Sequence, residues 1–189
     1  KGKDENGRLK FGKYIAFNIE QVDGDISKFS GFDKIDINKD ERSAEADDLI
    51  DKLGAIIKPG IGACYIPSQD VIRMPYFEQF DSAAHYYSTM MHEQGHRTGH
   101  GSRLDRNLKG KFGDKKYAME ELIAELTSCF MCVEMGVISA PRKDHAQYLN
   151  SWIKLLSDDK RAFNMAVGQA QKATNYMLNI MGLEIQEVA

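Results

Sequence analysis

The chain has 189 residues, 42% hydrophobic and 28% charged, with a formal net charge of -3, proportions ordinary for a water-soluble domain. No run approaches the roughly 18 consecutive apolar residues of a membrane span, and the weakly negative balance gives no support to bulk attraction for nucleic acid. Cys64, Cys129 and Cys132 are odd in number and sparse, which argues against a disulfide-stapled secreted scaffold and for a reducing, cytoplasmic setting.

The chain opens on Lys1 with no initiating Met, signal core or cleavage-site pattern, and reads as part of something longer, with residues 1–10 as a lead-in. Residues 11–189 are expected to form one domain. "KYIAFNIEQV" (13–22) is rich in β-branched and aromatic residues and stops at Asp23-Gly24, a strand and turn. Residues 25–40 show no period and read as loop. "SAEADDLIDKLG" spaces Ala46, Leu49, Ile50 and Leu53 as one helical face and ends on Gly54, suited to a left-handed cap. "ACYIPSQDVIRMP" sets two short β-type runs around Pro67-Ser68-Gln69-Asp70, a hairpin. Helices follow over about 82–98, capped by Asp81 or Ser82 and ended by Gly99 and Gly101, and over about 117–135, stopping near Gly136. Two more are expected over 143–156 and 158–181, the last opened by Ser157 and closed by Gly182. Strands first and helices last indicate an α+β domain with a small mixed or antiparallel sheet and a mostly helical C-terminal half.

Charge is uneven. Residues 33–52 carry Asp33, Asp36, Asp40, Glu41, Glu45, Asp47, Asp48 and Asp51, whereas 101–116 carry Arg103, Arg106, Lys109, Lys111, Lys115 and Lys116. The basic stretch reads as a solvated loop in which Arg103 and Arg106 are candidate phosphate contacts.

Within "MMHEQGHRTGH" (90–100), His92 and His96 lie about 40° apart on a helix, with Tyr87 and Met91 on the opposite flank. His92-Glu93-x-x-His96 is the HExxH pattern in which both imidazoles bind zinc and the glutamate is the general base. A catalytic zinc takes a third protein ligand. The HExxHxxGxxH continuation fails, because its last position holds Ser102. "YAMEELIAEL" (117–126) supplies Glu120, Glu121 and Glu125. Leu122, Ile123, Leu126, Cys129, Phe130 and Val133 form an apolar arc, so Glu120 is expected to face solvent while Glu121 and Glu125 sit at the arc's edge. A buried acid is costly unless paired or metal-bound, which makes Glu121 the third ligand and Glu125 the acceptor for a ligand histidine's free N–H. The alternative is that both acids pair with lysines of the 109–116 loop. His100 is a rival ligand only if the helix runs through Gly99. Cys129 and Cys132 read as core thiols.

The blocks "FNIEQVDG", "YIPSQDVIRMPYFEQFDSAAHYYSTMMHEQGHRTGHGSRLDR" and "YAMEELIAELTSCF" resemble the C-terminal half of ArdC-type antirestriction proteins, a domain also attached to plasmid primases and polyvalent phage proteins. The resemblance implies a zincin-like fold of the SprT type, with His92, His96 and Glu121 holding Zn2+ and Glu93 acting as base. It also implies single-stranded DNA binding through an N-terminal domain that precedes this chain. Gln94, Gly95 and Arg97 depart from the family's usual apolar, small and aromatic residues, and glycine inside a helix costs up to about 1 kcal/mol relative to alanine. The expected function is a zinc peptidase domain of a mobile-element protein acting on a protein or peptide, with Tyr117, His100 and Tyr86 as unranked candidates for the oxyanion donor. The alternative is a non-enzymatic module, binding or mimicking DNA, in which the metal is structural. Glu93 discriminates between them, since a structural zinc has no use for a base.

Overall fold

Ser43 precedes the first described helix: its hydroxyl accepts from the Ala46 N–H at 3.2 Å and caps α1 (Ala44–Lys52). The computed structural model describes residues 42–106, 108, 114–137, 145–159 and 161–183. The expected strand over 13–22, its turn, the loop over 25–40, and Lys109 and Lys111 lie outside these residues. Helix α1 buries Ala46 and Ile50, followed by Leu53, and turns out at Gly54 with φ of 65°, the left-handed exit for which glycine is suited.

Three strands form a mixed sheet in the order β1-β3-β2. β2 (Cys64–Ile66) and β3 (Val71–Met74) are the expected hairpin, pairing Cys64 with Arg73 and Ile66 with Val71. β1 (Ile56–Pro59) pairs parallel to β3 and was not foreseen. Its four residues are all exposed and end on a proline, so neither alternation nor burial marks "IIKP" as a strand. The central β3 turns Val71, Ile72 and Met74 into the core.

The other described elements are helical: α2 (Ala83–Thr98), α3 (Lys115–Glu134), α4 (His145–Asp158) and α5 (Ala162–Met181). Ser82, not Asp81, caps α2, accepting from the His85 N–H at 3.1 Å. The boundary between the last two helices is corrected, since residues 157–158 finish α4 and α5 starts at Ala162. Gly182 closes α5 with φ of 75°. No helix among the described residues is long and apolar enough to cross a membrane.

Tyr87, Met90 and Met91 of α2 are fully buried and share a core with Ile50, Met74, Met131, Cys132, Met177 and Leu178. A second cluster lies between α3, α4 and α5, from Ala118, Leu122, Ile123, Leu155, Ala162 and Ala166. Helix α3 is therefore buried on two sides, and the single apolar arc is corrected: Val133 is 67% exposed, while Ala124, Thr127 and Ser128 are buried. Those small and polar residues face α2. Ser128 Oγ donates to the Ser88 carbonyl at 2.7 Å, and a Cβ at Gly95 would stand 3.2 Å from Ala124 Cα and 3.3 Å from its carbonyl oxygen. Ser88 faces Ser128 at one end and His96 faces Glu121 at the other, so the helices run antiparallel. Gly95 lets them approach closely.

Gly95→Val is expected to destabilise the domain by about 1–3 kcal/mol through overpacking at this crossing. Gly168→Ala, in α5 where a Cβ would meet nothing within 4 Å, is expected to stabilise it by about 0.4–1 kcal/mol. Denaturant midpoints of the two variants check both signs.

Candidate metal centre

The crossing of α2 and α3 sets two imidazoles against a row of carboxylates. His92 and His96 lie one turn apart on the face of α2 turned toward α3, and His92 is buried rather than open to solvent. Their Nε2 atoms are 3.1 Å apart. Glu121 closes the triangle, with one carboxylate oxygen 3.5 Å from His92 Nε2 and the other 3.6 Å from His96 Nε2. One ligand atom from each of the three residues lies within 4.8 Å of the others.

Each imidazole is held from behind by a second carboxylate. His92 Nδ1 is 3.2 Å from Glu125 Oε2, and His96 Nδ1 is 3.3 Å from Glu120 Oε1. A carboxylate accepts, so each Nδ1 carries a proton and the two Nε2 atoms face each other and Glu121. At 3.1 Å the pair can share the proton that the raised His96 holds, and a cation that displaces this proton would take its place. Two nitrogens at ~2.0–2.1 Å from a tetrahedral zinc stand ~3.3–3.4 Å apart, so the observed triangle fits such an ion within a few tenths of an ångström. His92, His96 and Glu121 could thus form a divalent metal site.

The electrostatics agree. Glu93, Glu120, Glu121 and Glu125 are all buried, and four carboxylates out of water call for positive charge close by. Burial pushes His96 down, but the carboxylates of Glu120 and Glu121 outweigh it and raise the group to about 10. Burial pushes Glu121 up, yet hydrogen bonds from His92 and His96 hold it well below the usual carboxylate range. Glu120 is likewise lowered against the cost of burial, by His96 and Arg106.

Glu120 overturns the expectation that it faces solvent. It is 9% exposed, and Arg106 grips it through Nε at 3.0 Å and Nη2 at 2.7 Å. The same guanidinium donates to the Gly95 carbonyl and to Thr98 Oγ1, both at 2.8 Å, joining the Thr98 hydroxyl, which donates to that helix-end carbonyl at 2.6 Å. Gly99 leaves room for it, since a Cβ there would lie 3.0 Å from Arg106 Nη2 and 2.7 Å from Leu108. Its φ is -76°, so Gly99 serves by its small size and not by left-handed backbone.

Arg106 and Arg103, expected as phosphate contacts, are corrected to interior residues: their side chains are 7% and 8% exposed and bonded to Glu120 and Asp70. Tyr86, a candidate oxyanion donor, is corrected too. Its ring packs edge-on to Phe77, Phe80 and Tyr87, and its charged neighbours are Arg42, Asp47, Asp51 and Glu78, none of them at the centre. His100 lies beyond the end of α2 with Nδ1 bonded to Ser102 Oγ at 2.8 Å, and it is not among the three clustered residues. Tyr117, half-buried in the first turns of α3, sits one turn before Glu121. Glu93 is buried on the flank beside β2, where its charge adds to burial in pushing up the Cys64 thiol. Cys132 is buried and Cys129 half-buried, and neither is in a disulfide, as expected for core cysteines.

A helix bearing two histidines and a buried glutamate, crossed by a helix that brings a carboxylate to both imidazoles beside a small mixed sheet, is the arrangement of a zincin-type metallopeptidase domain. Residues 44–169 match the family model for zincin-like metallopeptidases, and the chain belongs to that family. It is 37% identical over 177 residues to the uncharacterized protein y4eC of Sinorhizobium fredii, covering 93% of this chain and 56% of that protein. It is 39% identical over 176 residues to DNA primase TraC of Escherichia coli, covering 91% of this chain and 16% of the primase. The chain thus spans about half the length of the first relative and about a sixth of the second. Among solved structures it is similar to the antirestriction protein ArdC of plasmid R388. The Mn(II)-bound form matches with a TM-score of 0.69 and 39% identity over 76% of this chain and 54% of that one. The metal-free form matches with a TM-score of 0.69 and 37% identity over 97% and 68%. The resemblance read from the sequence and the zincin-like fold it implied are borne out.

Glu121→Ala is expected to abolish tight metal binding, whereas Glu120→Gln or Glu125→Gln weakens it about 10–100-fold by releasing one imidazole; titration against a metal-buffering chelator measures each. The raised His96 also sets a pH dependence. In chelator-treated protein its contribution to stability is full below about 6.5 and is lost as pH rises toward about 10, so the denaturant midpoint falls over that window. Metal affinity moves the other way, rising with pH as the competing proton leaves.

Proposed function

We propose that the chain is the catalytic domain of a zinc-dependent peptidase within a mobile-element antirestriction protein. The observation that carries this reading is the pair of Nε2 atoms converging with a Glu121 oxygen, next to a buried glutamate that none of these contacts uses. Among the described residues the cluster has three members, the number with which a catalytic zinc keeps a position for water, while structural sites close all four. Zinc is favoured for a ligand set of two imidazoles and one carboxylate, whereas manganese prefers an oxygen-rich set. ArdC of plasmid R388 has been crystallised with Mn(II), which supports a divalent ion here.

Zn2+ held by His92, His96 and Glu121 would supply Lewis acidity, polarising a carbonyl and bringing a water's pKa to about 7. Glu93, buried on the flank beside β2, would serve as the general base, accepting a proton from the attacking water and passing it to the leaving amine. Glu120 and Glu125 hold the imidazole N–H groups, which fixes both tautomers and keeps the rings aimed. The β2 strand, which pairs only with β3 among the described residues, offers an extended peptide a backbone to pair with beside Glu93. Tyr117 and His100 remain the candidates for steadying the oxyanion.

Residues 11–189 are proposed to act as one catalytic unit of a longer cytoplasmic protein, one that meets single-stranded DNA through a domain preceding this chain and acts on a protein or peptide. Similarity to an antirestriction protein and to a primase supports that setting. A non-enzymatic module with a structural metal would leave Glu93 without a task.

The test is Glu93→Gln. The variant should retain near-stoichiometric zinc and lose hydrolysis of a peptide library about 10²–10⁴-fold, the range for a general base. Unchanged cleavage at equal metal content would remove Glu93 from the mechanism, and a zinc-loaded parent that cuts no peptide would end the peptidase reading.

A further inference from the structure

Beyond the metal centre, one half-buried polar cluster ties the sheet to the end of the helix that carries His92 and His96. Arg103 uses all five of its N–H groups. Nε donates to the Arg97 carbonyl at 2.6 Å, in the last turn of α2. Nη1 donates to Asp70 Oδ2 at 3.0 Å and to Ser102 Oγ at 3.4 Å. Nη2 bonds Asp70 Oδ1 and donates to the Tyr65 hydroxyl at 3.2 Å. The Tyr65 hydroxyl in turn donates to Asp70 Oδ1 at 2.8 Å. Arg97 completes the cluster, with Nε 3.9 Å from Asp70 and its other nitrogens on the carbonyls of Leu53 and Gly54 at 3.0 and 3.2 Å.

Three features set this cluster apart from an ordinary surface ion pair. Arg103 is 8% exposed, so the interaction is only weakly screened by solvent. Asp70 closes the hairpin turn with φ of 52°, a left-handed conformation that aspartate tolerates better than most residues, so its carboxylate is carried at a fixed point of the β2–β3 turn. The contacts also fall one residue from the chemistry on both sides. The Arg97 carbonyl belongs to the residue after His96, and Tyr65 follows Cys64, whose thiol feels the Glu93 carboxylate. The planar guanidinium thus joins the edge strand to the catalytic end of α2 along a short, rigid path.

We propose that Arg103, held by Asp70 and Tyr65, is a positioning residue that fixes β2 relative to the His92–His96 centre and Glu93. It thereby sets where the carbonyl of a β2-paired peptide meets the site. This role rests on the peptidase reading, but the placement of β2 does not. Arg103 touches no metal ligand directly, so its loss should leave zinc content intact.

The experiment pairs two readouts in Arg103→Lys, with Tyr65→Phe as a second variant that removes a single hydroxyl should the first fail to fold. The first readout is the pH profile of Cys64 alkylation, followed by peptide mapping in zinc-loaded protein and calibrated against Glu93→Gln. The second is kcat and KM on a cleaved peptide. Loosened placement predicts unchanged zinc stoichiometry, a Cys64 profile displaced to lower pH in the direction of Glu93→Gln, and at least a tenfold fall in kcat with KM changed less than threefold. A lower Tm with both readouts unmoved would make Arg103 a stabilising residue only and overturn the proposal. A displaced profile with unchanged kcat, or lost kcat with an undisplaced profile, would overturn it as well. If the parent cleaves no peptide, the peptidase reading fails by itself and the Cys64 profile alone decides whether Arg103 places β2.

Discussion

Helices α2 and α3 meet where Gly95 lies against Ala124, and the metal centre depends on how closely they do so. A Cβ on residue 95 would already press on Ala124 Cα at 3.2 Å, so no larger side chain fits without moving a helix. Everything else in the site is registered to that contact. Glu121 lies one turn before Ala124 and reaches both imidazoles. Glu125, the next residue along, reaches His92, and Ser128 bonds the Ser88 carbonyl one turn further on. A glycine that weakens its own helix is therefore what lets a carboxylate from one helix meet two imidazoles from another.

Close packing alone would bring four buried carboxylates together at prohibitive cost. The structure answers with layers of alternating charge. The Nε2 atoms and the Glu121 oxygens face inward toward one another, around the point where a cation could sit, while Glu125 and Glu120 stand behind the two imidazoles. Arg106 stands behind Glu120 and also satisfies the Gly95 carbonyl. Arg106 thus binds the helix crossing and the outer charge shell into one unit. The candidate metal centre is a polar insertion between two apolar cores, one around Met90 and Met91 and the other around Leu122 and Ile123.

Much of this was legible beforehand, for identifiable reasons. His92 and His96 declare themselves because helical spacing is local, and α2 begins and ends within a residue of its expected span. Glu121 and Glu125 were singled out because acids at the edge of an apolar arc need a partner. Glu120 was misread by the same argument, which assumed that α3 had one buried face. Ala124, Thr127 and Ser128 form a second face, but small and polar residues carry no hydropathy signal, and their partner is a glycine 29 positions earlier. The spacing from Gly95 to Gly99 was the available clue, though it reads equally well as a helix end. The two arginines were misread because a basic run looks solvated until the acids that receive it, Asp70 and Glu120, are brought near by the fold. β1 was missed because a parallel edge strand of four exposed residues has no periodicity to detect.

The claim that the crossing builds a two-imidazole, one-carboxylate centre is tested most directly by X-ray absorption at the zinc edge on the stoichiometrically loaded protein. The account predicts a nitrogen and oxygen shell at ~2.0–2.1 Å with the multiple-scattering signature of two imidazoles and no sulfur. A sulfur shell at ~2.3 Å, which would point to Cys64, or fewer than two imidazoles, would contradict it.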